Sequence, residues 1–310
     1  MNKTSPEVLM PDSRDTLDLH VRRVRLGSAD TSYVDEGRGR PVVLLHGAPL
    51  TSLGFAPLIH GLRRHCRVLA PDLPGFGAST PRREGPWSLE DYARFAVEFV
   101  EALDLRDATI FVHDSSGPIG LAAAVRLRDR LGGLVVADTV PIPLSGWAAL
   151  VGTVLRHVVT SRPARWINRR ANALPWLVAN VAPMHRRLPR RVRAAMTADF
   201  AVAHQRDRLM DLFRSLANEH EFLERTADLV RQEMTDMPAL ILYGQFDPMR
   251  FVGGFRRYRE LLPRATTVVV PLEEHFPMLG SANAVADAIT SWMSAAGAGR
   301  VEPVEEPLRG

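Results

Sequence analysis

Ten residues at positions 111–120, Phe-Val-His-Asp-Ser-Ser-Gly-Pro-Ile-Gly, decide the fold that the sequence predicts. An apolar run rich in β-branched and aromatic residues, 108–112, ends abruptly within this stretch, and a helical run, 121–127, follows it. A strand that breaks sharply into a helix is the arrangement of a nucleophile elbow, whose strained turn pushes one reactive side chain out over a sheet. Small residues must follow the break because backbone and helix pack closely there. The stretch therefore predicts a nucleophile at a strand end.

Two residues at the break compete for the role of nucleophile. A serine elbow needs small residues two positions before and two after, and for Ser115 the first place is held by His113, whose imidazole fits poorly. For Asp114 the two places are held by Val112 and Ser116, which crowd the turn less. Carboxylates do serve as covalent nucleophiles. We favour Asp114 and keep open both Ser115 and a purely structural helix cap.

The composition predicts a globular protein without disulfides. Its 310 residues are 46% hydrophobic and 24% charged, enough for one domain, or one domain with an insertion. Cys66 is the only cysteine, which excludes a Cys-based metal site and favours a reducing, cytoplasmic location. The first residues lack the apolar core of a signal peptide, and no apolar run is long enough to predict a membrane span.

The positive charge of the chain is concentrated in one segment. The net charge is +4, and from Thr139 to Ala198 there are ten arginines and no Asp or Glu. Such a segment suits a substrate that bears an anionic group, or an acidic partner surface. We favour the alternative of a solvated arginine-rich face with the acids of residues 199–236 nearby. We therefore expect no nucleic-acid partner.

The order of predicted elements indicates an α/β core with an insertion. Strands alternate with helices from Pro41 to Asp138, which predicts a parallel sheet with helices on both faces. The alternation stops at about residue 141 and resumes at 239–243, and the segment between the two reads as helices only. The predicted organisation is an α/β core of residues 1–140 and 237–297, a helical cap of residues 141–236 and a flexible tail of residues 298–310.

Two further side chains occupy positions that would face the predicted nucleophile. Asp247 follows the strand at 239–243, and His275 follows the strand at 266–270. The carboxyl ends of parallel strands form the crevice where such sheets bind ligands. The chain order of nucleophile, acid and histidine is the order found in the α/β-hydrolase architecture. Asp138 also lies at a strand end and is a second candidate for the acid, but we favour Asp247.

Four motifs carry a resemblance to a known family. They are His46-Gly-Ala-Pro49, Asp72-Leu-Pro-Gly-Phe-Gly77, Gly244-Gln-Phe-Asp-Pro248 and His275-Phe-Pro-Met278. Together they resemble the α/β-hydrolase superfamily over nearly the whole chain. The resemblance implies an α/β fold with a mostly parallel eight-stranded sheet, helices on both of its faces and an inserted α-helical cap.

Within that superfamily, His113-Asp114 and the small residues after it resemble the Asp-nucleophile branch of epoxide hydrolases and haloalkane dehalogenases. Ala48 stands where dehalogenases usually carry Asn, which favours epoxide hydrolases. Ser115 stands where both groups usually carry Trp, so the elbow half of a halide clamp is missing. The cap also lacks the tyrosines that protonate an opening epoxide. A substitute donor would have to come from Trp147, Trp166, Trp176, His185 or His204.

The resemblance implies an epoxide hydrolase without metal or cofactor. Asp114 would form an alkyl ester with a small hydrophobic substrate, and His275, oriented by Asp247, would activate the water that hydrolyses it. The backbone N–H groups of Ala48 and Ser115 would form the oxyanion hole. A haloalkane dehalogenase, a Ser115-dependent esterase and a non-hydrolytic ligand-binding or biosynthetic protein are the alternatives, and a homodimer remains an option. The predicted substrate contacts are His46, Pro49, Trp147, Trp176 and Phe276.

Overall fold

A computed structural model describes residues 18–139, 160–180, 188 and 190–297 of the chain. One mixed β-sheet forms the centre of the fold, and its strands come from residues between Val21 and Val270. Their bounds in chain order are β1 (Val21–Arg25), β2 (Ala29–Gly37), β3 (Pro41–Leu45), β4 (Arg67–Pro71), β5 (Thr80–Pro81), β6 (Ala108–His113), β7 (Leu131–Ala137), β8 (Ala239–Gly244) and β9 (Thr266–Val270).

The sheet is mostly parallel, as the sequence predicts. Its order is β1-β2-β4-β3-β6-β7-β8-β9, and β5 pairs with β2 outside this path. The strands β1, β2 and β5 pair antiparallel, whereas β4, β3 and β6 to β9 are parallel to one another. The described sheet therefore has nine strands and not the predicted eight. The additional strand is β5, whose two residues are too few to give a periodic signal in the sequence.

Helices cover both faces of the sheet, and a group of helices lies between β7 and β8. Two 3₁₀ turns, Ser52–Phe55 and Arg128–Arg130, complete the regular structure of the described residues. The helix bounds are α1 (Ala56–Leu62), α2 (Leu89–Ala102), α3 (Ser116–Arg126), α4 (Arg162–Ala171), α5 (Ala173–Asn180), α6 (Arg190–Ala198), α7 (Ala203–Asn218), α8 (His220–Glu233), α9 (Pro248–Phe251), α10 (Gly254–Leu261), α11 (Pro277–Gly280) and α12 (Ala282–Gly297).

The central strands are apolar on both sides because a hydrophobic layer lies on each face. In β6, Ile110 and Val112 belong to the cluster shared with α2, α3 and α8. Phe111, between them, belongs to the cluster shared with α1 and α12. Successive side chains of a strand point to opposite faces, so a strand with two covered faces needs a continuous apolar run. This explains why the run at 108–112 has no alternating pattern.

Helices α4 to α8 correspond to the part of the chain that the sequence assigns to a cap. Between Arg162 and Glu233 the described residues form helices and no strand. Hydrogen bonds fasten this part to the core: the Thr51 hydroxyl donates to Asp199 over 2.6 Å, and the Gln205 amide donates to the Gly77 carbonyl over 2.8 Å. The predicted boundaries at 140/141, and the tail at 298–310, lie outside the described residues. The division into core and cap thus stays a prediction.

The arginines of this segment are partly paired with nearby acids. Arg165 lies 2.7 Å from Asp211, and Arg169 pairs with Asp207. The Arg206 guanidinium is buried and donates to backbone carbonyl groups at the ends of two helices, including those of Phe200 and Arg169. The two ion pairs, with Asp211 and Asp207, agree with the favoured interpretation, in which acids of residues 199–236 balance the arginine-rich stretch.

No helix in the described part of the chain is both long enough and apolar enough to cross a membrane.

The elbow depends on close packing of α3 against two strands. A Cβ atom added to Gly120 would lie 2.1 Å from Val112 Cγ1 and 3.2 Å from Leu45 Cδ1. All three positions belong to the core, so neither neighbour can move into solvent. Glycine at this position therefore lets the first turns of α3 lie directly on β6 and β3.

We predict that Gly120→Ala lowers the free energy of unfolding by about 1–3 kcal/mol, the usual effect of overpacking a closed core. Gly27→Ala is the matched control, since its added Cβ would meet only Glu98 carboxyl atoms at 3.7 Å or more. That control should change the free energy by less than about 0.5 kcal/mol. Urea unfolding of the two variants measures the difference, and equal midpoints would contradict the close-packing argument.

Candidate active site

Asp114 occupies a strained turn between β6 and α3. Its φ is +50°, in the left-handed region that few non-glycine residues adopt. The neighbouring loop after β3 leaves room for it, because a Cβ on Gly47 would lie only 2.6 Å from Asp114 Cβ. The side chain is 12% exposed, at the carboxyl end of the parallel strands. The sequence places a reactive group at this break, and the structure shows how tightly the break is enclosed.

Two hydroxyl groups hold the turn in place. Ser116 Oγ donates to the Leu45 carbonyl oxygen over 2.7 Å and accepts from the His113 backbone N–H over 2.9 Å, which ties the end of β6 to the end of β3. Thr139 Oγ1, just past the end of β7, donates to the Asp114 carbonyl oxygen over 2.5 Å. The strained residue is therefore fixed from both neighbouring strands.

The Asp114 carboxylate faces an imidazole and two backbone donors. Its Oδ1 atom lies 3.4 Å from His275 Nε2, and its Oδ2 atom accepts from the Ala48 N–H over 3.0 Å. The backbone N–H of Ser115 also lowers the pKa of this carboxyl group. On the far side of the ring, His275 Nδ1 lies 2.9 Å from Asp247 Oδ1. The structure thus brings together the five residues predicted for the catalytic group and the oxyanion hole.

The electrostatics of the site favour an ion pair between Asp114 and His275. Burial raises the pKa of Asp114, but the hydrogen bond and positive charge of His275 outweigh it, so the pKa lies below its ordinary value. Burial lowers the pKa of His275, but the two carboxylates, Asp247 first, raise it well above its ordinary value. A buried carboxylate and an imidazolium therefore stabilise each other, with Asp247 as the second counter-charge.

His113 supports the loop that carries His275. Its buried Nε2 atom lies 2.9 Å from the His275 carbonyl oxygen, so this nitrogen must carry the proton that it donates. Burial, with the positive charge of His275, lowers the pKa of His113 to about 4, which leaves the ring neutral at pH 7. Its ring centroid lies 4.9 Å from that of His275 and 5.5 Å from that of Phe276. The residue before Asp114 thus supports the position of His275.

Comparison with known proteins identifies the family. A family model of the alpha/beta hydrolase fold matches residues 40–282. The chain belongs to the α/β-hydrolase fold family. Haloalkane dehalogenase 2 from Mycobacterium bovis is 29% identical over 258 residues, which cover 83% of this chain and 89% of that protein. A haloalkane dehalogenase from Mycolicibacterium paratuberculosis is 44% identical over 110 residues, 34% of this chain and 36% of that protein.

A solved structure shares the fold of this α/β hydrolase. The crystal structure of the haloalkane dehalogenase DbeA from Bradyrhizobium elkani superposes with a TM-score of 0.79. It covers 91% of this chain and 100% of that chain at 18% sequence identity, which supports the fold alone. The predicted assignment to the α/β-hydrolase superfamily and its Asp-nucleophile branch is confirmed, and the similarity runs to the dehalogenase side of that branch.

The predicted substrate contacts of this hydrolase lie in different places. His46 is buried and uses both ring nitrogens on backbone: Nε2 accepts from the Leu73 N–H over 2.9 Å, and Nδ1 donates to the Gly47 carbonyl over 3.0 Å. Pro49 is buried beyond a cis peptide bond with Ala48, and the Phe276 ring packs edge-on against His275 at 4.9 Å.

Trp147 and Trp176 are the two tryptophans predicted as substrate contacts. Trp147 is outside the described residues. Trp176 is 52% exposed and lines a surface groove with Asn172, Arg193 and Thr197. Their predicted contacts with a substrate therefore stay predictions, as does the choice of a proton donor in the cap.

Ser115 has no partner for its hydroxyl. The residue is 1% exposed, and its Oγ atom makes no hydrogen bond within the described part of the chain. The His275 imidazole faces the Asp114 carboxylate. This geometry favours Asp114 over Ser115 in the role of nucleophile, and it leaves a free hydroxyl beside the carboxylate.

The sequence did not predict that two residues after β7, Asp138 and Thr139, both contribute to the site. Asp138 was considered only as a replacement for Asp247, and Thr139 was not considered. The structure places both against the site, with the Asp138 carboxyl accepting from the Gly244 N–H over 2.7 Å. The one available signal was their position after β7, the strand that lies between β6 and β8.

Among residues 18–139, 160–180, 188 and 190–297, no group of three or more His, Cys, Asp or Glu side chains could hold a metal ion.

We predict that Ser116→Ala lowers the free energy of unfolding by about 1–3 kcal/mol, because it leaves the buried Leu45 carbonyl and His113 N–H without the hydroxyl that joins them. Ser115→Ala is a matched control on the adjacent residue, whose hydroxyl has no partner, and should change stability by less than about 0.5 kcal/mol. Chemical denaturation followed by circular dichroism measures both. A larger loss for Ser115→Ala would show that the elbow is held differently.

Proposed function

We propose that this α/β hydrolase displaces a leaving group from a carbon atom through a covalent ester on Asp114, and that the leaving group is a halide. The observation that carries the covalent chemistry is the Asp114 carboxylate, which lies between the Ala48 N–H at 3.0 Å and His275 Nε2 at 3.4 Å. Support for a halide comes from the similarity to haloalkane dehalogenases over 83% of the chain.

In the first step of the proposed reaction, Asp114 attacks the carbon that bears the halogen. Its Oδ2 atom is held by the Ala48 N–H, so Oδ1 forms the new bond and Oδ2 becomes the carbonyl oxygen of the ester. The carbon–halogen bond breaks, and the halide leaves with the bonding electron pair. A lowered pKa keeps Asp114 ionised for this attack. Because the carboxylate is oriented and the substrate is held beside it, the step does not require a bimolecular collision. This proximity accounts for a large share of the rate acceleration in such steps.

Ester formation prepares His275 for the second step. The ester has no negative charge, so His275 loses one of the two carboxylates that raise its pKa. The imidazolium then releases its proton to solvent more readily, and the neutral ring can act as a general base. The neutral imidazole takes a proton from water, and the resulting hydroxide attacks the ester carbonyl carbon. The base thus becomes active only after the first step is complete.

The second step regenerates the carboxylate. The negative charge of the tetrahedral intermediate develops on Oδ2, which faces the backbone N–H of Ala48, and the backbone N–H of Ser115 is the proposed second donor. Such fixed donors stabilise an oxyanion without reorganisation, and one donor is typically worth about 3 kcal/mol. Collapse of the intermediate breaks the bond between the ester carbonyl carbon and the alkoxide oxygen. The alkoxide takes a proton from the His275 imidazolium and leaves as the alcohol, and the carboxylic acid formed on Asp114 gives its proton back to His275, which restores the ion pair. Asp247 stays ionised throughout and keeps the His275 ring oriented through Nδ1.

Epoxide opening, which the sequence favours, is the second candidate function. Ala48 supports it, because this residue stands where dehalogenases usually carry Asn. Ser115 replaces the Trp that both groups usually carry, which weakens the case for a halide without favouring an epoxide. The chemistry on Asp114 is the same, but the departing alkoxide stays attached to the carbon and needs a proton. The unpartnered Ser115 hydroxyl is a donor available to either leaving group. The substrate is in either case a small hydrophobic molecule, and the proposed mechanism needs no cofactor.

We predict that Asp114→Asn lowers kcat by roughly 10⁴-fold or more, as loss of a covalent nucleophile does. Ser115→Ala is the matched control and should keep kcat within about tenfold, since its backbone N–H remains in place. Steady-state kinetics on the best substrate measures both values. Full activity of Asp114→Asn with an inactive Ser115→Ala would instead establish the Ser115-dependent esterase.

A third variant checks that an ester forms. His275→Gln should still be alkylated but should hydrolyse the ester slowly, so intact-protein mass spectrometry should detect an added alkyl group on Asp114. The same experiment with Asp114→Asn should show no added mass. Absence of the adduct with a substrate that the unmodified protein turns over would refute the two-step scheme.

We predict that bromoalkanes and chloroalkanes give free halide and the alcohol, with bromide leaving faster, and that alkyl and aryl epoxides give little diol. Ion chromatography and gas chromatography of the products measure this directly. Diol formation without halide release would replace the first proposal by epoxide opening. Stabilisation of the protein against heat by these compounds, without turnover of haloalkanes, epoxides or p-nitrophenyl esters, would instead support a ligand-binding or biosynthetic role.

A further inference from the structure

Two aspartates lie side by side behind the His275 ring. Asp138 follows β7 and Asp247 follows β8, and these strands are neighbours with Ala137 paired to Leu242. The Asp138 N–H donates to the Leu242 carbonyl over 3.0 Å, which continues the ladder one residue past the end of β7. Both carboxyl groups are fully buried, and the negative charge of Asp247 disfavours ionisation of Asp138. Asp247 alone is enough to orient His275, so the buried Asp138 carboxyl group beside it needs a separate explanation.

Each of the two carboxyl groups has one occupied and one unoccupied oxygen. Asp138 Oδ1 accepts from the Gly244 N–H over 2.7 Å. Asp247 Oδ1 accepts from His275 Nδ1 over 2.9 Å and from the Met249 N–H over 3.1 Å. The Oδ2 atoms of both aspartates are buried and make no hydrogen bond to any donor in the described chain. Two ionised carboxylates only accept, so they can bond to each other only if one of them carries a proton.

The charges around the pair also argue against two ionised aspartates. The ionisable groups that act on Asp138 are Asp247 after β8 and His275 after β9, and the Tyr243 phenol in β8 donates to the Thr139 carbonyl beside it over 2.7 Å. With Asp114 added, three carboxylates would share one imidazolium inside the protein. A buried charge without a counter-charge is strongly unfavourable. One proton on the aspartate pair leaves two carboxylates for the one imidazolium.

We propose that Asp138 and Asp247 share one proton, which Asp138 Oδ2 carries and donates to Asp247 Oδ2, and that Asp138 is a positioning residue for the Asp247–His275 pair. The proton belongs to Asp138 because Asp247 already accepts from the imidazole, which is best served by an ionised carboxylate. The bond satisfies both orphan oxygens and fixes the rotation of the Asp247 carboxylate towards Nδ1. Burial first, and then the charge of Asp247, hold the pKa of Asp138 well above its ordinary value.

The neutral Asp138 has a consequence for the base, and this part rests on the proposed function. An additional negative charge beside His275 would hold the imidazolium protonated after Asp114 has become an ester. A hydrogen bond from a neutral acid draws charge away from Asp247 and leaves the imidazolium easier to deprotonate. Asp138 would thus orient the Asp247 carboxylate without adding negative charge that would keep His275 protonated.

The proton itself can be counted without any assay of activity. The unfolded chain loses this proton near the ordinary aspartate pKa of about 3.9, whereas the folded pair keeps it to a higher pH. The stability due to the proton is present below that value and is lost as the pH rises towards the folded pKa. The ratio of the unfolding constant of the unmodified protein to that of Asp138→Asn should therefore rise about tenfold per pH unit across this window.

Asp35→Asn is the control for the proton count. Asp35 is a partly buried aspartate of the same sheet, but it pairs with Arg67 at 2.8 Å. Its replacement should not produce a rise of this sign. Urea unfolding at a series of pH values gives the ratios. A flat or falling ratio for Asp138→Asn would overturn the shared proton, whatever the enzyme proves to do, whereas failure of the halide proposal would leave the ratio unchanged.

Kinetics of three variants then tests where the proton lies. Asn can accept from the Gly244 N–H and donate to Asp247 as a neutral Asp138 would, so Asp138→Asn should rescue most of the kcat that Asp138→Ala loses. That loss should be roughly tenfold or more, with KM little changed, because a buried acceptor is left unpaired. Asp247→Asn should lose far more than Asp138→Asn. The reverse order would place the charge on Asp138 and overturn the assignment.

Discussion

The left-handed turn at Asp114 is the constraint on which the rest of the structure depends. A non-glycine residue keeps this strained backbone conformation only if the surrounding structure holds it there. Here Ser116 fastens the turn to β3, Thr139 fastens it to the end of β7, and Gly120 lets α3 lie close behind it. The carboxylate consequently stands at the carboxyl edge of the sheet with one oxygen on a backbone donor.

Near this turn the protein buries three carboxyl groups, and two of them, those of Asp114 and Asp247, contact the His275 imidazole. In an environment with little water, charges interact strongly, so the balance of positive and negative charge decides which groups keep their protons. The pKa of Asp114 lies below its ordinary value, whereas the pKa values of His275 and Asp138 lie above theirs. A change of charge on one member therefore alters the others, which is how the proposed ester would turn His275 from counter-ion into base.

Much of the fold was predictable because its signals are local. The continuous apolar runs of the central strands, the turn residues after them and the helical stretches between them all lie within short windows. The two-residue β5 has no such window and was missed. Trp176 was predicted to contact substrate, and the structure places it in a surface groove, so that contact stays a prediction. Which face of a cap helix turns inward depends on neighbours that are distant in sequence.

The sequence by itself determined the family, the mostly parallel sheet, and the order of Asp114, Asp247 and His275 at successive strand ends, because strand order and strand length follow from short-range pattern. Only the tertiary structure decided which Asp114 oxygen meets Ala48 and that Asp138 lies against Asp247. Asp138 and Asp247 are more than a hundred residues apart in the chain and meet through the pairing of β7 with β8. Hydrogen bonds and buried charges act over a few ångströms, and no pattern along the sequence records distances of that kind.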